Sequence, residues 1–489
     1  MTILSERGLF WWHHDPIPAK HFAPDSSVTG LLEIHDDGRT TLELDGCLQG
    51  DSGPWSSFLS SEDAWLEGKR IQGVLKVSNN HVLLCQLSRN GGTYSTHGLS
   101  YESYFAAECL LGERPFPSVK SPLTFSEFEI NLEGFERWLR LGSIKTKRKK
   151  SSISIRYLTP KQVSYTLGSG AKLKIKFDIL GPVLRGGHQI DQVKLQERAV
   201  LVYRHQNKMA FKEIKSIFNS LDDLFTLLTD SEYPLGWPSV WLRRKSIPTK
   251  YKFYFVRVVD YNDRPSAPEK HTCPTNFVQL RDRFGEIVSR WLSKKEKIGP
   301  GFYLYTGLRR GMRLYTEHQF ASLMWGLESF HRRTEATTES IKRKEEKIVR
   351  ILDQIASTKD RKWAQQQLRA EPNLEDRLFS VLSRLTINIS PCKLRVFCRK
   401  CAARRNELSH FGAQRKADET SEAFYEDLQT KIQALSTLYY LLILIEIGID
   451  EHILLSWFYN GFHSYQRKMT LIRAGLLNPE HDSPSPRVS

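Results

Sequence analysis

Residues 404–412 read RRNELSHFG, and the first seven of them hold two arginines, an asparagine, a glutamate, a serine and a histidine. Such a set suits phosphodiester transfer within RNA. The 2′-hydroxyl must lose a proton and the 5′-oxygen must gain one, and imidazole, here His410, titrates near enough to neutrality to do either. Charge developing on the phosphorane calls for a fixed planar cation, and the Arg405 guanidinium offers paired donors. Asn406 can orient the imidazole or hold a phosphate oxygen. The nucleophile is the substrate's own hydroxyl, so no metal and no cofactor is expected. One histidine does not easily serve as base and acid on opposite sides of a phosphate, which predicts two copies of the chain meeting across a two-fold axis.

Position supports this chemistry only in part. Residues 384–416 carry nine Lys/Arg and one acid, Glu407. Leu394, Cys398, Cys401, Arg405 and Leu408 recur at three- and four-residue spacing, which puts Arg405 on the inward seam of a helix and demands an anionic partner. His410 lies five residues on, about 140° around an ideal helix. It can turn toward Arg405 if the helix ends near Phe411-Gly412. A purely structural alternative stands beside this: Arg405 paired with Glu328 or Asp427, and His410 a simple helix cap favoured by the dipole.

Other chemically suggestive groups are weaker. Cys392, Cys398 and Cys401 with His410 form a C-x5-C-x2-C-x8-H set that either binds zinc or, for the two thiols on the inward face, packs as core. In WWHHDP, adjacent His13 and His14 point to opposite faces of a strand, so a packing element is expected. Glu328, beside Leu327 on a helix, is either a carboxylate that holds Arg405 or His410 or a surface acid. The run IKTKRKKSS at 144–152 is expected to be a solvated linker and domain boundary, with a polyphosphate contact as the alternative. Phosphate loops of Walker type and G-x-S-x-G elbows do not occur.

The elements that must position these groups change character along the chain. The first half reads as strands. VTGLLEI and RTTLELDG flank Asp36-Asp37-Gly38 as a hairpin, and GVLKV and HVLLCQL flank Asn79-Asn80 as another. Further strands are expected at 152–157, 163–167, 171–179, 198–203 and 251–259, with helices at LEGFERWLRL and FNSLDDLFTLLTD. From about Phe277 the pattern is helical. Residues 276–297 read as one helix. Phe320, Leu323, Met324, Leu327 and Phe330 share one face, as do Ile341, Ile348, Ile351, Leu352 and Ile355. The apolar run 435–449 is shorter than a bilayer span and contains Glu446, so it is expected at the centre of a bundle and no membrane partner is expected.

A chain of 489 residues exceeds one compact core, and 40% hydrophobic content with eleven tryptophans is ample for several. The formal charge of +16 favours polyanionic partners, nucleic acid above all. Seven irregularly spaced cysteines argue for a reducing, cytoplasmic setting, and the N-terminus lacks a secretory signal pattern.

RNELSH, inside a helix and followed by a long apolar helix, resembles the Arg-polar-x-x-x-His signature of HEPN domains. At the other end, GLFWWHHDPIPAKHFAPDSSVTGLLEIHDDGRTTLELDG resembles the start of ApeA-type proteins, with a Trp pair ahead of a Gly-Leu-Leu-Glu strand and a hairpin ending in Leu-x-Gly. GVLKVSNNHVLLCQL and FAAECLLGE continue in that style. The resemblance implies a bacterial antiphage effector of the abortive-infection type. Its C-terminal HEPN domain would be a dimeric, metal-independent endoribonuclease with Arg405, Asn406 and His410 in the site. Expected partners are RNA, with tRNA among the candidates, a second copy or a higher homo-oligomer, and a phage-derived trigger. A non-catalytic RNA- or protein-binding regulatory module is the rival class. The fold class is α+β and multidomain: a β-rich ApeA-type domain at 1–150, a second β-rich or mixed subdomain at 151–275, an all-α HEPN-type bundle at 276–475, and a flexible tail at 476–489.

Overall fold

The structure, a computed structural model, describes residues 2–48, 66–95, 97–117, 122–181, 195–244, 247–257, 265–310, 314–334, 339–368, 371–409 and 419–479. The chain divides into two units. The first comprises Met1–Glu136, Leu141–Asp222 and Tyr233–Ala267, and the second Arg137–Arg140, Asp223–Glu232 and Pro268–Ser489.

Strands dominate the first unit: β1 (Thr2–Trp12), β2 (Val28–His35), β3 (Thr40–Leu44), β4 (Ile71–Leu75), β5 (His81–Thr93), β6 (Tyr101–Gly112) and β7 (Phe125–Asn131). They continue with β8 (Ile144–Lys149), β9 (Ser152–Tyr157), β10 (Val163–Thr166), β11 (Lys172–Leu180), β12 (Gln196–Met209), β13 (Ser239–Arg244) and β14 (Ile247–Phe255). Twelve form one antiparallel sheet in the order β10-β11-β12-β7-β13-β14-β6-β3-β2-β1-β4-β5. Pairing of β5 with β6 closes β1–β6 into a barrel. The other edge of β6 is shared: residues 102–106 pair with β3 and residues 108–111 with β14, so the sheet branches there and continues open. It therefore runs through both β-rich stretches expected at 1–150 and 151–275.

Alternation fills the barrel. Leu32 and Ile34 of β2, Leu42 and Leu44 of β3, Ile71 and Leu75 of β4, and Tyr104 and Ala106 of β6 point inward with Phe10 and Trp12. The β2–β3 turn falls at the expected Asp36-Asp37-Gly38. Gly38 takes φ 83° there, and a side chain at that position would collide with the Phe255 carbonyl. In WWHHDP, Trp11 and Trp12 are buried and the His13 ring Nε2 meets the Pro117 carbonyl at 3.0 Å, while His14 faces Asp15.

The charge run at 144–152 is a strand and turn rather than a linker. β8 and β9 make a separate two-stranded antiparallel hairpin, pairing Lys145 with Arg156 and Lys149 with Ser152. The run hides its strand character because both faces of the hairpin are largely exposed, so no apolar alternation marks β8.

The helices are α1 (Glu136–Leu139), α2 (Phe211–Thr229), α3 (Phe277–Leu280), α4 (Phe284–Ile298), α5 (Pro300–Arg309), α6 (Thr316–Thr334) and α7 (Glu339–Asp353). They continue with α8 (Thr358–Gln367), α9 (Leu374–Leu382), α10 (Pro391–Ser409), α11 (Ser421–Glu446), α12 (Glu451–Asn460) and α13 (Ser464–Arg473). Short α1 supplies Trp138 of the expected 132–141 helix, and its indole packs against Phe225, Phe277 and Phe284.

The single helix expected at 276–297 is broken. Asn276 caps α3, and a tight turn closed by Arg283 N–H on the Leu280 carbonyl restarts the chain as α4. The α6 face forms as expected, with Phe320, Leu323, Met324, Leu327 and Phe330 buried. The inward face expected on α7 does not form fully: Ile351 stays 38% exposed and Ile348 and Leu352 are half-buried. The side chain of Ile341 lies outside the described set.

Among the described residues α11 is the one helix long and apolar enough to cross a membrane, and its run from Leu435 to Leu444 is mostly buried within the unit, with Tyr440 donating to the Leu227 carbonyl. Of the expected tail, Leu476 and Leu477 are buried and residues 480–489 lie outside the described set.

Candidate active site

Helix α10 carries the motif. Pro391 at its start needs no hydrogen-bond partner for its nitrogen, and the Ser390 carbonyl accepts the Leu394 N–H at 3.0 Å. Leu394, Phe397, Cys398, Cys401 and Ala402 are buried on one side. The stripe continues into the last turn, where Arg405 and Leu408 are half-buried. The inward seam read from spacing is thus the observed one.

Arg405 is only 27% exposed at its side chain. Its Nη2 lies 3.5 Å from Oε2 of Glu328 on α6, and its Nη1 donates to Asn406 Oδ1 at 3.2 Å. Its Nε is buried and has no hydrogen-bond partner among the described residues. At 3.5 Å the contact with Glu328 is an ion pair rather than a hydrogen bond. Of the two acids that spacing alone suggested, Glu328 is the partner.

Glu328 is itself held from the far side. Arg377 of α9, 6% exposed at its side chain, donates Nη1 to Glu328 Oε1 at 2.9 Å. The same oxygen accepts from Arg332 Nη2 at 3.1 Å, one turn along α6. Arg377 is fixed in turn by Glu371 at 2.6 Å and by the Pro372 carbonyl at 2.8 Å. One oxygen of Glu328 thus anchors two guanidiniums while the other faces Arg405. Three cations share one carboxylate, and the local excess of positive charge suits an incoming anion. Sequence reading missed Arg377. Its signal was present: with Leu374, Leu378 and Val381 it sits at i, i+3, i+4 and i+7, an arginine on an inward face.

Arg404, the neighbour, does different work. Its guanidinium forks onto Glu419 through Nη1 at 2.9 Å and Nη2 at 2.5 Å, and also donates to Glu407 at 2.9 Å and Asp427 at 3.1 Å. It also lies over the Phe424 ring. The Glu419 hydrogen bonds, with Asp427 and Glu407, hold its pKa above the usual arginine value despite burial. Burial would raise the Asp427 carboxyl, but Lys431 and Arg404 outweigh it and hold the group below its ordinary range. This set ties the end of α10 to the start of α11.

Most of the basic segment is compensated in the same way. Arg395 donates to Asp376 at 2.7 Å, Arg399 to Glu375 at 3.3 Å, and Arg384 joins Lys294 on buried Glu446. The excess of positive charge seen in one stretch of sequence is met by acids from α9 and α11.

Asn406 is exposed on the last turn of α10 beside Arg405. His410 lies outside the described residues. Cys392 is exposed at the start of α10 while Cys398 and Cys401 are buried nearer its middle. Burial pushes the Cys398 thiol up to about 12 and Cys401 up as well. Among the described residues no three His, Cys, Asp or Glu side chains are placed to hold a metal ion.

Two family models match the chain: ApeA N-terminal domain 1 over residues 5–291, and Apea-like HEPN over residues 322–453. The chain belongs to the ApeA family. Comparison with curated proteins and with solved structures finds no match. The HEPN match spans α6 to the start of α12, so Glu328, Arg377, Arg404, Arg405 and Asn406 all fall within it, as does position 410. As an ApeA-family protein with a HEPN domain, the chain belongs with antiphage defence effectors, a group whose HEPN domains are generally nucleases.

Proposed function

We propose that this ApeA-family protein is a metal-independent endoribonuclease that arrests phage-infected cells. In the reaction the 2′-oxygen of a ribose attacks the adjacent phosphorus as its proton passes to a base, and the 5′-oxygen leaves as it takes up a proton. The products carry a 2′,3′-cyclic phosphate and a 5′-hydroxyl. Arg405 stabilises the charge on the phosphorane, Asn406 orients, and His410 transfers the proton. Two chains supply the groups on opposite sides of the phosphate. The reading rests above all on Arg405: a half-buried guanidinium, held from behind by Glu328, with its Nε unpartnered among the described residues. The β-rich unit would restrain the nuclease until a phage-derived signal arrives.

The compensated arginines of α10 favour a second reading, a non-catalytic module whose bundle only holds RNA or a protein partner. One experiment separates them. Purified chain is incubated with cellular RNA in EDTA and the new ends are mapped. Cleavage with cyclic-phosphate ends that vanishes in His410→Ala, with RNA binding retained, supports the nuclease. A requirement for added divalent metal sinks the mechanism, and no cleavage with retained RNA binding by the unaltered chain supports the second reading.

A further inference from the structure

The β8–β9 hairpin has two unlike faces. Side chains alternate along each strand, and cross-strand partners share a face. One face carries Lys145, Lys147 and Lys149 of β8, with Arg156, Ser154 and Ser152 opposite them on β9. The other carries Ile144, Thr146 and Arg148, with Tyr157, Ile155 and Ile153. The first face thus holds four cations and two hydroxyls and no acid. None of those cations has an ion-pair partner among the described residues, in contrast to the arginines of α10, each of which meets a carboxylate.

A lone two-stranded hairpin is marginal in water, and this one is held at its base. Glu197 accepts the Ser143 N–H at 2.6 Å and the Ile144 N–H at 3.2 Å, and the Leu158 N–H donates to the Ser143 carbonyl at 2.9 Å. From that anchored foot the basic strand runs out exposed. Successive lysines on one face stand roughly 6.7 Å apart, twice the strand rise. The result is a row of cations with serine hydroxyls beside it, Ser154 donating to the Lys147 carbonyl at 3.4 Å, and the row of cations matches a regularly charged phosphate backbone. The face lacks aromatic or amide groups that would read bases.

We infer that this face binds the phosphate backbone of nucleic acid without regard to sequence. A lipid surface is the less suitable occupant. The opposite face offers Ile153 and Ile155 as exposed apolar groups, interrupted by Thr146 and Arg148, too little area to anchor a hairpin in a bilayer. Edge protection, a common use of strand lysines, does not call for an acid-free face.

The test uses the full chain and a labelled 20-nucleotide 2′-O-methyl RNA. That probe lacks the free 2′-hydroxyl the proposed cleavage needs, so binding is read independently of nuclease activity. The triple variant Lys145→Ser, Lys147→Ser, Lys149→Ser should bind about tenfold or more weakly, with the log–log salt slope reduced by about 2. The arginine triple, Lys145→Arg, Lys147→Arg, Lys149→Arg, should bind like the unaltered chain, and Arg156→Ser should show an intermediate loss. A charge-matched control removes exposed Lys76, Lys161 and Lys208 and should leave the slope within about 0.5 of the original. Equal losses in the serine triple and the control would reduce the effect to bulk charge and overturn the inference. So would unchanged oligonucleotide binding by the serine triple, or a loss confined to binding of phosphatidylserine vesicles.

Discussion

The Arg405 guanidinium stands 3.5 Å from the Glu328 carboxylate, and that carboxylate is already bonded on its other oxygen to Arg377 and Arg332. The arrangement orients Arg405 without saturating it. Glu328→Gln keeps the shape but removes the charge that holds three cations together. Cleavage should fall about 10- to 100-fold, and stability should drop by about 2 kcal/mol because buried Arg377 loses one of its anionic partners. Glu328→Asp, which keeps the charge, should recover part of the activity. Full activity in Glu328→Gln would show that Arg405 needs no support from α6.

Arg404 and Arg405 are adjacent in sequence and differently paired. Arg404 meets three carboxylates and is 13% exposed at its side chain, whereas Arg405 meets one, loosely. Arg404→Met should therefore unfold the end of α10 and cost about 3 kcal/mol, read as a lowered Tm. Arg405→Lys should leave Tm nearly unchanged and lower the rate about 100-fold or more, because an ammonium cannot reproduce the planar fork. The opposite pattern, stability lost at Arg405 and activity lost only at Arg404, would reassign the site.

The contrast also shows how far the sequence could be read. The α10 stripe was legible because helical period is local, and the Arg405–Glu328 pairing was open as one of two options because Glu328 sits on a well-marked apolar helix. The Arg404 set was not legible. Its partners come from Glu407, Glu419 and Asp427, and only the fold brings the last two back beside α10. The strands of the barrel were visible one hairpin at a time, but the branching of β6 between β3, β5 and β14 joins residues over a hundred positions apart, which no local pattern encodes. In α4 and α7 periodicity misled, in the first by running through a turn and in the second by marking a face the fold leaves half covered.

Two groups should make stability depend on pH in separate windows. Burial holds the His13 pKa below its ordinary 6.5 despite the Pro117 carbonyl. The unfolded chain then binds the proton more readily, so stability is full above 6.5 and falls as pH drops below it. For Glu446, burial acts to raise the pKa, but Lys294 and Arg384 outweigh it and bring the carboxyl below its ordinary 4.5. A depressed acid contributes stability above 4.5 that is lost as pH falls through its folded value. Thermal unfolding from pH 7.5 to 3 should show both declines. His13→Asn should flatten the upper one and Glu446→Gln the lower one, the latter from a Tm already reduced by about 3 kcal/mol of stability. A Glu446→Gln curve parallel to that of the unaltered chain below pH 4.5 would remove the carboxylate from the account.

The proposed composite site needs a surface through which two HEPN domains meet, and α6 offers one. Trp325 lies three residues before Glu328, on the same side of the helix, and is 49% exposed. A half-exposed indole beside the Glu328 carboxylate is the kind of group that anchors an interface. Trp325→Arg should weaken self-association by tenfold or more in sedimentation and lower cleavage in proportion, while leaving Tm at dilute, monomeric concentrations unchanged, since no buried group is disturbed. Raising the protein concentration should restore part of the lost activity. If the variant stays a monomer at every concentration yet cleaves RNA at the original rate, the pocket is complete within one chain and His410 must act with groups of its own subunit.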